Sequence, residues 1–274
     1  MKLCARARAL RLLAIATVPA LLVAACGSDE DDDAADGGSA TTEASDQEST
    51  LEGDITVFAA ASLTDAFDEV GAAFEKDNPD VEVEFNYGPS SGLREQILQG
   101  APADVFASAN TSNMDQVVEG GAAKDPQNFV TNQLQIAVPA GNEAGVTGLA
   151  DFAQANLLIG LCAEDVPCGE FGREALANAG VTPSIDTNEA DVRSLLTKVE
   201  SGDLDAGIVY ITDVKAAGDK VEGIDIPADD NVTATYPIAA LTDSKNAEVA
   251  QAFVDFVLSD EGQAILADHG FGSP

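Results

Sequence analysis

The chain is poor in cations and in the side chains that do acid–base chemistry. Among its 274 residues there are 13 Lys and Arg against 48 Asp and Glu, one histidine and three tyrosines. So few cations against so many acids exclude nucleic acid and anionic membrane surfaces as partners. The lone histidine, His269 in "ADHGF", reads as part of a helix end near the C-terminus and suits a capping or surface role. With no other histidine and no G-x-S-x-G turn, a serine hydrolase lacks its base and its elbow. The three tyrosines, Tyr87, Tyr210 and Tyr236, are too few for the clustered phenolates of an iron(III) site. No glycine-rich nucleotide loop is present, so the chain is no ATP-driven motor, and no repeat of 20–50 residues suggests a solenoid. The expectation is a protein that is not an enzyme.

Four cysteines sort themselves by position. Lys2, Arg6, Arg8 and Arg11 precede an apolar run, Leu12 to Val23, that is too short for a stable membrane span. Residues 1–25 are therefore read as a signal peptide, which takes Cys4 with it. "LVAAC" places small residues before Cys26 and resembles the lipobox of bacterial lipoproteins, where the cysteine is lipidated; an ordinary cleaved signal is the alternative. The stretch after it, "GSDEDDDAADGGSATTEASDQESTLEG", is dense in acid and nearly free of apolar residues. Such a segment cannot bury enough surface to offset ordering, so 26–53 is expected to be a disordered tether. Cys162 and Cys168 remain. In an extracytoplasmic protein that pair is expected to form a disulfide, with two free thiols as the alternative. A metal site is disfavoured, because two cysteines and one distant histidine make a poor ligand set. Removing the four basic residues of the leader leaves nine against 48 acids, a net charge of −39. The acids beyond the tether read as a solvated surface.

From residue 54 onward short apolar strands alternate with amphipathic helices, the pattern of an α/β protein. Ile55–Ala59 is a strand and Leu63 to about Lys76 a helix; "DVEVEFNY" alternates as a strand with one covered face. Leu93–Leu98 and Met114–Val118 are helical, with Ala103–Ala107 a strand between them. A second series begins at Leu134–Pro139 and runs through strand Leu157–Leu161, a helix past Phe171 and Leu176, a helix from about Asp191 to Ser201, and strand "GIVY". A strand and two helices close the chain. The expected domains are 54–131 and 235–274 in one lobe and 132–234 in the other.

Several connections share one grammar: an apolar strand, small residues, then a helix start. In "TVFAAASLTDAF" the helix opens "SLTD", so Ser62 could cap its own helix with Asp65 reaching back. In "YGPSSGLREQ" Ser90, Ser91 and Gly92 open a helix; "EDVPCGEFGREAL" starts one near Cys168 and "NEADVRSLL" one near Asp191 and Val192. The unpaired N–H groups and dipole of a helix start receive anions. Each serine taken alone is an ordinary cap. Four such starts divided between two lobes suggest one shared cleft.

"ITVFAAASLTDAF", "GAPADVFASAN", "VPCGEFGREAL", "EADVRSLL", "GIVY" and "YPIAAL", in this order, resemble the extracytoplasmic molybdate-binding proteins of ABC transporters, over nearly all of 54–272. The resemblance implies a type II periplasmic-binding-protein-like α/β fold, two lobes with the ligand cleft between them and two strands crossing. It implies that molybdate, and tungstate with it, is the transported ligand, that no cofactor is needed, and that molybdenum is bound only as the oxyanion. Ser62, Ser90, Cys168, Val192 and Tyr210 are then the ligand residues, all neutral donors, with Ser91 an alternative to Ser90. A receptor for sulfate or another tetrahedral oxyanion is the alternative function. The implied partners are membrane permease subunits with a separate ATPase. The protein is expected to act as a monomer, lipid-anchored to the outer face of the cell membrane.

Overall fold

The computed structural model describes residues 51–274. The signal peptide, Cys26 and most of the tether lie outside the described residues. Among the described residues no helix is long and apolar enough to cross a membrane.

Strand β1 (Gly53–Ala60) lies between β2 (Val81–Gly88) and β3 (Val105–Ala107), parallel to both. From Val57 onward it is buried on both faces, which is why its second half is an unbroken apolar run and not an alternating one. A 3-10 turn, Ala61–Leu63, links it to α1 (Thr64–Asp77). Helices α2 (Ser90–Leu98) and α3 (Thr111–Glu119) follow β2 and β3. Strand β4 (Gln127–Pro139) is longer than its apolar run suggests. Its first six residues, rich in Asn, Gln and Thr, carry no strand period that the sequence reading could use.

The second series contains β5 (Ile159–Cys162), α4 (Pro167–Asn178), β6 (Thr187–Glu189), α5 (Val192–Glu200), β7 (Ala206–Tyr210), α6 (Ile211–Ala217) and β8 (Val221–Asp225). Strand β9 (Thr233–Ala240) and helices α7 (Ala247–Leu258) and α8 (Asp260–Asp268) end the chain. The seven-residue α6 is too short to show a helical period in sequence.

The strand order is β2-β1-β3-β9-β4-β7-β5-β6. Each half has the same plan. Three parallel strands, β2-β1-β3 or β6-β5-β7, are followed by one antiparallel strand, β9 or β4. Strand β4 belongs to both halves: through Gln133 it pairs with β9, and from Leu134 it pairs with β7 and β8. The halves are the two lobes. The closing helices pack on the first of them, where Phe253 of α7 meets Phe67 and Phe74 of α1 at ring-centroid distances of 6.1 and 5.4 Å. His269, just past α8, faces Glu69 of α1 at 2.9 Å.

Candidate oxyanion site

The carboxyl ends of the parallel strands in both lobes converge on one cavity, the place where open α/β sheets leave room for ligands. Ala60, Ala61 and Ser62 enter it from the end of β1, Gly88, Pro89 and Ser90 from the β2–α2 junction, and Ala109 from the loop after β3. The second lobe supplies Val166, Pro167 and Cys168, then Asp191 and Val192, and Tyr210 at the end of β7. All five residues read from sequence, Ser62, Ser90, Cys168, Val192 and Tyr210, are in this lining. Ser91 is buried but is not part of it. The cavity offers the centre of a water-sized sphere about 20 Å³, equivalent to an occupant of about 3 Å radius once the sphere's own radius is added. One central atom with a single shell of oxygens has that size.

Three of the contributing segments are helix starts. Ser90 and Val192 are the first residues of α2 and α5, and Cys168 is the second of α4, so their N–H groups have no carbonyl one turn back. Proline at the first position of α4 costs nothing there, since its missing N–H would be unpaired anyway. Gly169 is required by packing: a Cβ on it would lie 1.8 Å from the carbonyl oxygen of Ala163. The same corner holds the Cys162–Cys168 bridge, with sulfurs 2.11 Å apart and Cα atoms 5.7 Å apart. It ties the second residue of α4 to the end of β5.

The hydroxyls are arranged to give protons inward. Ser90 Oγ already accepts the N–H of Ala109 at 3.0 Å, leaving its own hydrogen available to the cavity. Ser62 does not cap α1. It lies in the 3-10 turn, two residues before the helix start, which has no side-chain cap, and its Oγ instead meets the Tyr236 hydroxyl at 2.9 Å. Asp65 does not reach back either; it bonds Arg193 at 2.8 Å.

Tyr210 is 1% exposed, and its hydroxyl, which neighbours that of Tyr236 without reaching bonding distance, has no hydrogen-bond partner. Burial above all, and then Tyr236 and Asp213 nearby, push its pKa well above the usual phenol range. Burial also raises Tyr236. Both therefore remain proton donors at any physiological pH. A buried phenol with no partner forgoes bonds it would make to water, and such groups call for an explanation.

Asp213 positions Tyr210. Its Oδ2 accepts the Tyr210 backbone N–H at 2.9 Å, closing the first turn of α6, while Oδ1 is buried without a partner. Burial raises its carboxyl to about 7, against the opposing pull of the Tyr210 N–H and of Arg193. The sequence reading missed Asp213 and Tyr236; the only local signal was "YITD", with an acid three residues beyond Tyr210. Asp191 also lines the cavity, but its carboxylate is occupied by the backbone N–H and hydroxyl of Ser194, at 2.9 and 3.0 Å. Among the described residues no group of three or more His, Cys, Asp or Glu gathers to hold a metal ion.

Residues 55–272 match the family model of the bacterial extracellular solute-binding proteins, and the chain belongs to that family. It is 39% identical over 221 residues, 80% of this chain and 85% of the other, to the molybdate-binding protein ModA of Mycobacterium tuberculosis, which places it in the ModA family of such proteins. Two solved structures show the same fold at 19% identity. The periplasmic molybdate-binding protein of Azotobacter vinelandii has a TM-score of 0.71, covering 80% of this chain and 99% of its own. The sulfate-binding protein SubI of M. tuberculosis has 0.72, covering 80% and 86%. The fold is thus the two-lobed α/β binding-protein type, common to receptors for different oxyanions.

Proposed function

We propose that this protein binds molybdate outside the cell and delivers it to an ABC permease powered by a separate ATPase. The observation that carries the reading is the partnerless Tyr210 hydroxyl, buried in a cavity that gathers donors from both lobes and whose one acid, Asp191, is engaged by Ser194. Ser62 and Ser90 give hydroxyl and backbone N–H, Cys168 and Val192 give backbone N–H, and Tyr210 gives its phenol. Such a set compensates a dianion with dipoles at contact distance, where the acidic surface, screened beyond about 8–10 Å, has little say. It also disfavours hydrogen phosphate, whose own proton would need an acceptor. Kinship to ModA at 39% identity favours molybdate over sulfate, the alternative that the fold alone leaves open. Tungstate, the same shape and charge, is a second ligand.

Calorimetric titration of the domain lacking the leader, with molybdate, tungstate, sulfate and phosphate in turn, tests this. Tight binding of molybdate and tungstate is expected. Binding of sulfate with none of molybdate would replace the assignment by the alternative.

Two further features complete the proposal. Cys26 carries lipid and holds the domain at the outer face of the membrane through the acidic tether; Cys26→Ser should then release the protein into the medium. Cys162 and Cys168 are oxidised in the mature protein, as their adjacency and the extracytoplasmic setting support. Peptide mass spectrometry without reductant should find them linked, and free alkylation of both would refute the bond. The protein acts as a monomer that needs no cofactor and catalyses no reaction.

A further inference from the structure

Three side-chain contacts cross from one lobe to the other; Lys215 Nζ of α6 donates to the Asp268 backbone oxygen of α8 at 2.6 Å, and the other two each stand beside a pair of the proposed donors. On one side Asp65, in the first turn of α1, accepts from Arg193, in the first turn of α5, at 2.8 Å. Asp65 is three residues beyond Ser62, and Arg193 directly follows Val192. On the other side Asn110 Nδ2 donates to Glu170 Oε2, in the first turn of α4, at 3.1 Å. Glu170 is two residues beyond Cys168, while Asn110 directly follows Ala109, whose N–H holds Ser90 Oγ. Each contact therefore couples one donor segment of the first lobe to one of the second: Ser62 to Val192, and Ser90 to Cys168.

The two contacts differ in build. Asn110 is buried and held in a network, its Oδ1 accepting the backbone N–H and the side-chain Nδ2 of Asn113, at 3.2 and 2.7 Å. Asn113 Oδ1 is in turn fixed by Arg94 at 2.9 Å. Asn110 thus meets Glu170 from a preset position and loses little freedom in doing so. The Asp65–Arg193 pair is partly exposed, with side chains 45% and 34% accessible. Arg193 lines a groove that shares Ala61, Gly88 and Asp191 with the cavity, so the pair stands where the cavity opens outward.

We infer that Asp65–Arg193 and Asn110–Glu170 form a two-point clasp that holds the lobes closed over the oxyanion and sets its rate of escape. This rests on the oxyanion reading of the cavity. The four residues do not touch the ligand; they position the helix starts that do. A contact made only in the closed state slows opening, so its loss raises the dissociation rate constant koff and leaves association nearly unchanged.

Charge separates the clasp from general electrostatics. Arg193→Gln removes a cation and Asp65→Asn an anion, so a mere change in net charge would move the anion's koff in opposite directions. Breaking a clasp raises koff in both. Stopped-flow displacement of molybdate from the mature domain should show koff up roughly two- to fivefold for each, as befits a partly exposed pair. The double variant should be no faster than either single one. Glu170→Ala should raise koff roughly threefold or more, and Glu170→Gln, which keeps an acceptor for Asn110, should restore most of the slow release. Unchanged koff in these variants, opposite shifts for Arg193→Gln and Asp65→Asn, or no rescue by Gln at 170 would overturn the clasp. Absence of any molybdate binding by the wild type would instead overturn the oxyanion reading. Small-angle scattering of the ligand-free protein would then judge the clasp alone: Asp65→Asn combined with Glu170→Ala should enlarge the radius of gyration, and an unchanged radius would refute it.

Discussion

Ser62 Oγ and the Tyr236 hydroxyl, 174 positions apart in the chain, meet at 2.9 Å beneath the cavity. Tyr236 on β9 thereby holds a residue at the end of β1 that no helix cap restrains. When Tyr236 gives its proton to Ser62, the Ser62 hydroxyl is free to give its own to a ligand. Burial keeps the phenol protonated, so its proton stays available across the physiological range, and either hydroxyl can be the donor of this bond.

Tyr236→Phe retains the ring and deletes that support. The loss of one buried hydrogen bond should lower unfolding free energy by about 1 kcal/mol in urea denaturation. Molybdate affinity should fall too, but by less than for loss of a direct donor. Unchanged stability together with unchanged affinity would show that Ser62 needs no partner.

Asp213 gives the stability profile a marked pH dependence. Its folded pKa is raised, by burial first, from 3.8 to about 7. Between those values the folded protein holds a proton that the unfolded chain has lost. Its contribution is therefore full below about pH 4, declines as pH rises through the window, and levels off above about 7. Asp213→Asn keeps an oxygen to accept the Tyr210 N–H and abolishes the titration. The variant's urea midpoint, compared with wild type, should rise from about pH 4.5 to about 7 and then level off. A difference that does not vary with pH would refute a raised carboxyl.

Gly169 and Gly172 lie one turn apart in α4 and should respond oppositely to alanine. At Gly169 a Cβ would press into the backbone oxygen of Ala163, which cannot step aside; at Gly172 the nearest atoms are an ordinary 3.6 Å away on Ile208. Gly169→Ala should cost about 3 kcal/mol and displace the Cys168 N–H from the cavity. Gly172→Ala should be neutral or stabilising by up to about 1 kcal/mol through helix propensity. Thermal unfolding of the two variants decides the matter, and equal midpoints would contradict the packing described for this corner.

What could be read in advance followed from local chemistry. A buried strand has its run of apolar residues and a helix start its small or capping residue, so the segments holding Ser62, Ser90, Cys168, Val192 and Tyr210 stand out in the sequence. Their meeting at one cavity was suggested by four helix starts of one grammar and implied by resemblance, since no period along the chain encodes it. Pairings across long separations left no trace at all. Tyr236 under Ser62, Arg193 on Asp65 and Asn110 on Glu170 each join residues at least 60 positions apart. The cap that "SLTD" allows for Ser62 does not form, because a 3-10 turn, invisible in composition, moves the true helix start beyond it. The first half of β4 was missed because its polar residues show no alternation.

The central claim is that neutral donors, Tyr210 foremost, hold the oxyanion. Its hydroxyl has no partner within the protein, so removing it should relieve an unsatisfied buried group and leave the ligand-free fold as stable as before or slightly more so. The same change deletes one charge-assisted bond to a dianion, worth about 1.5–3 kcal/mol, and affinity should fall roughly ten- to a hundredfold. The most direct measurement is therefore calorimetric titration of Tyr210→Phe with molybdate, alongside its ligand-free unfolding midpoint. Opposite responses are expected: weakened binding with stability held or raised. Binding equal to wild type would contradict it.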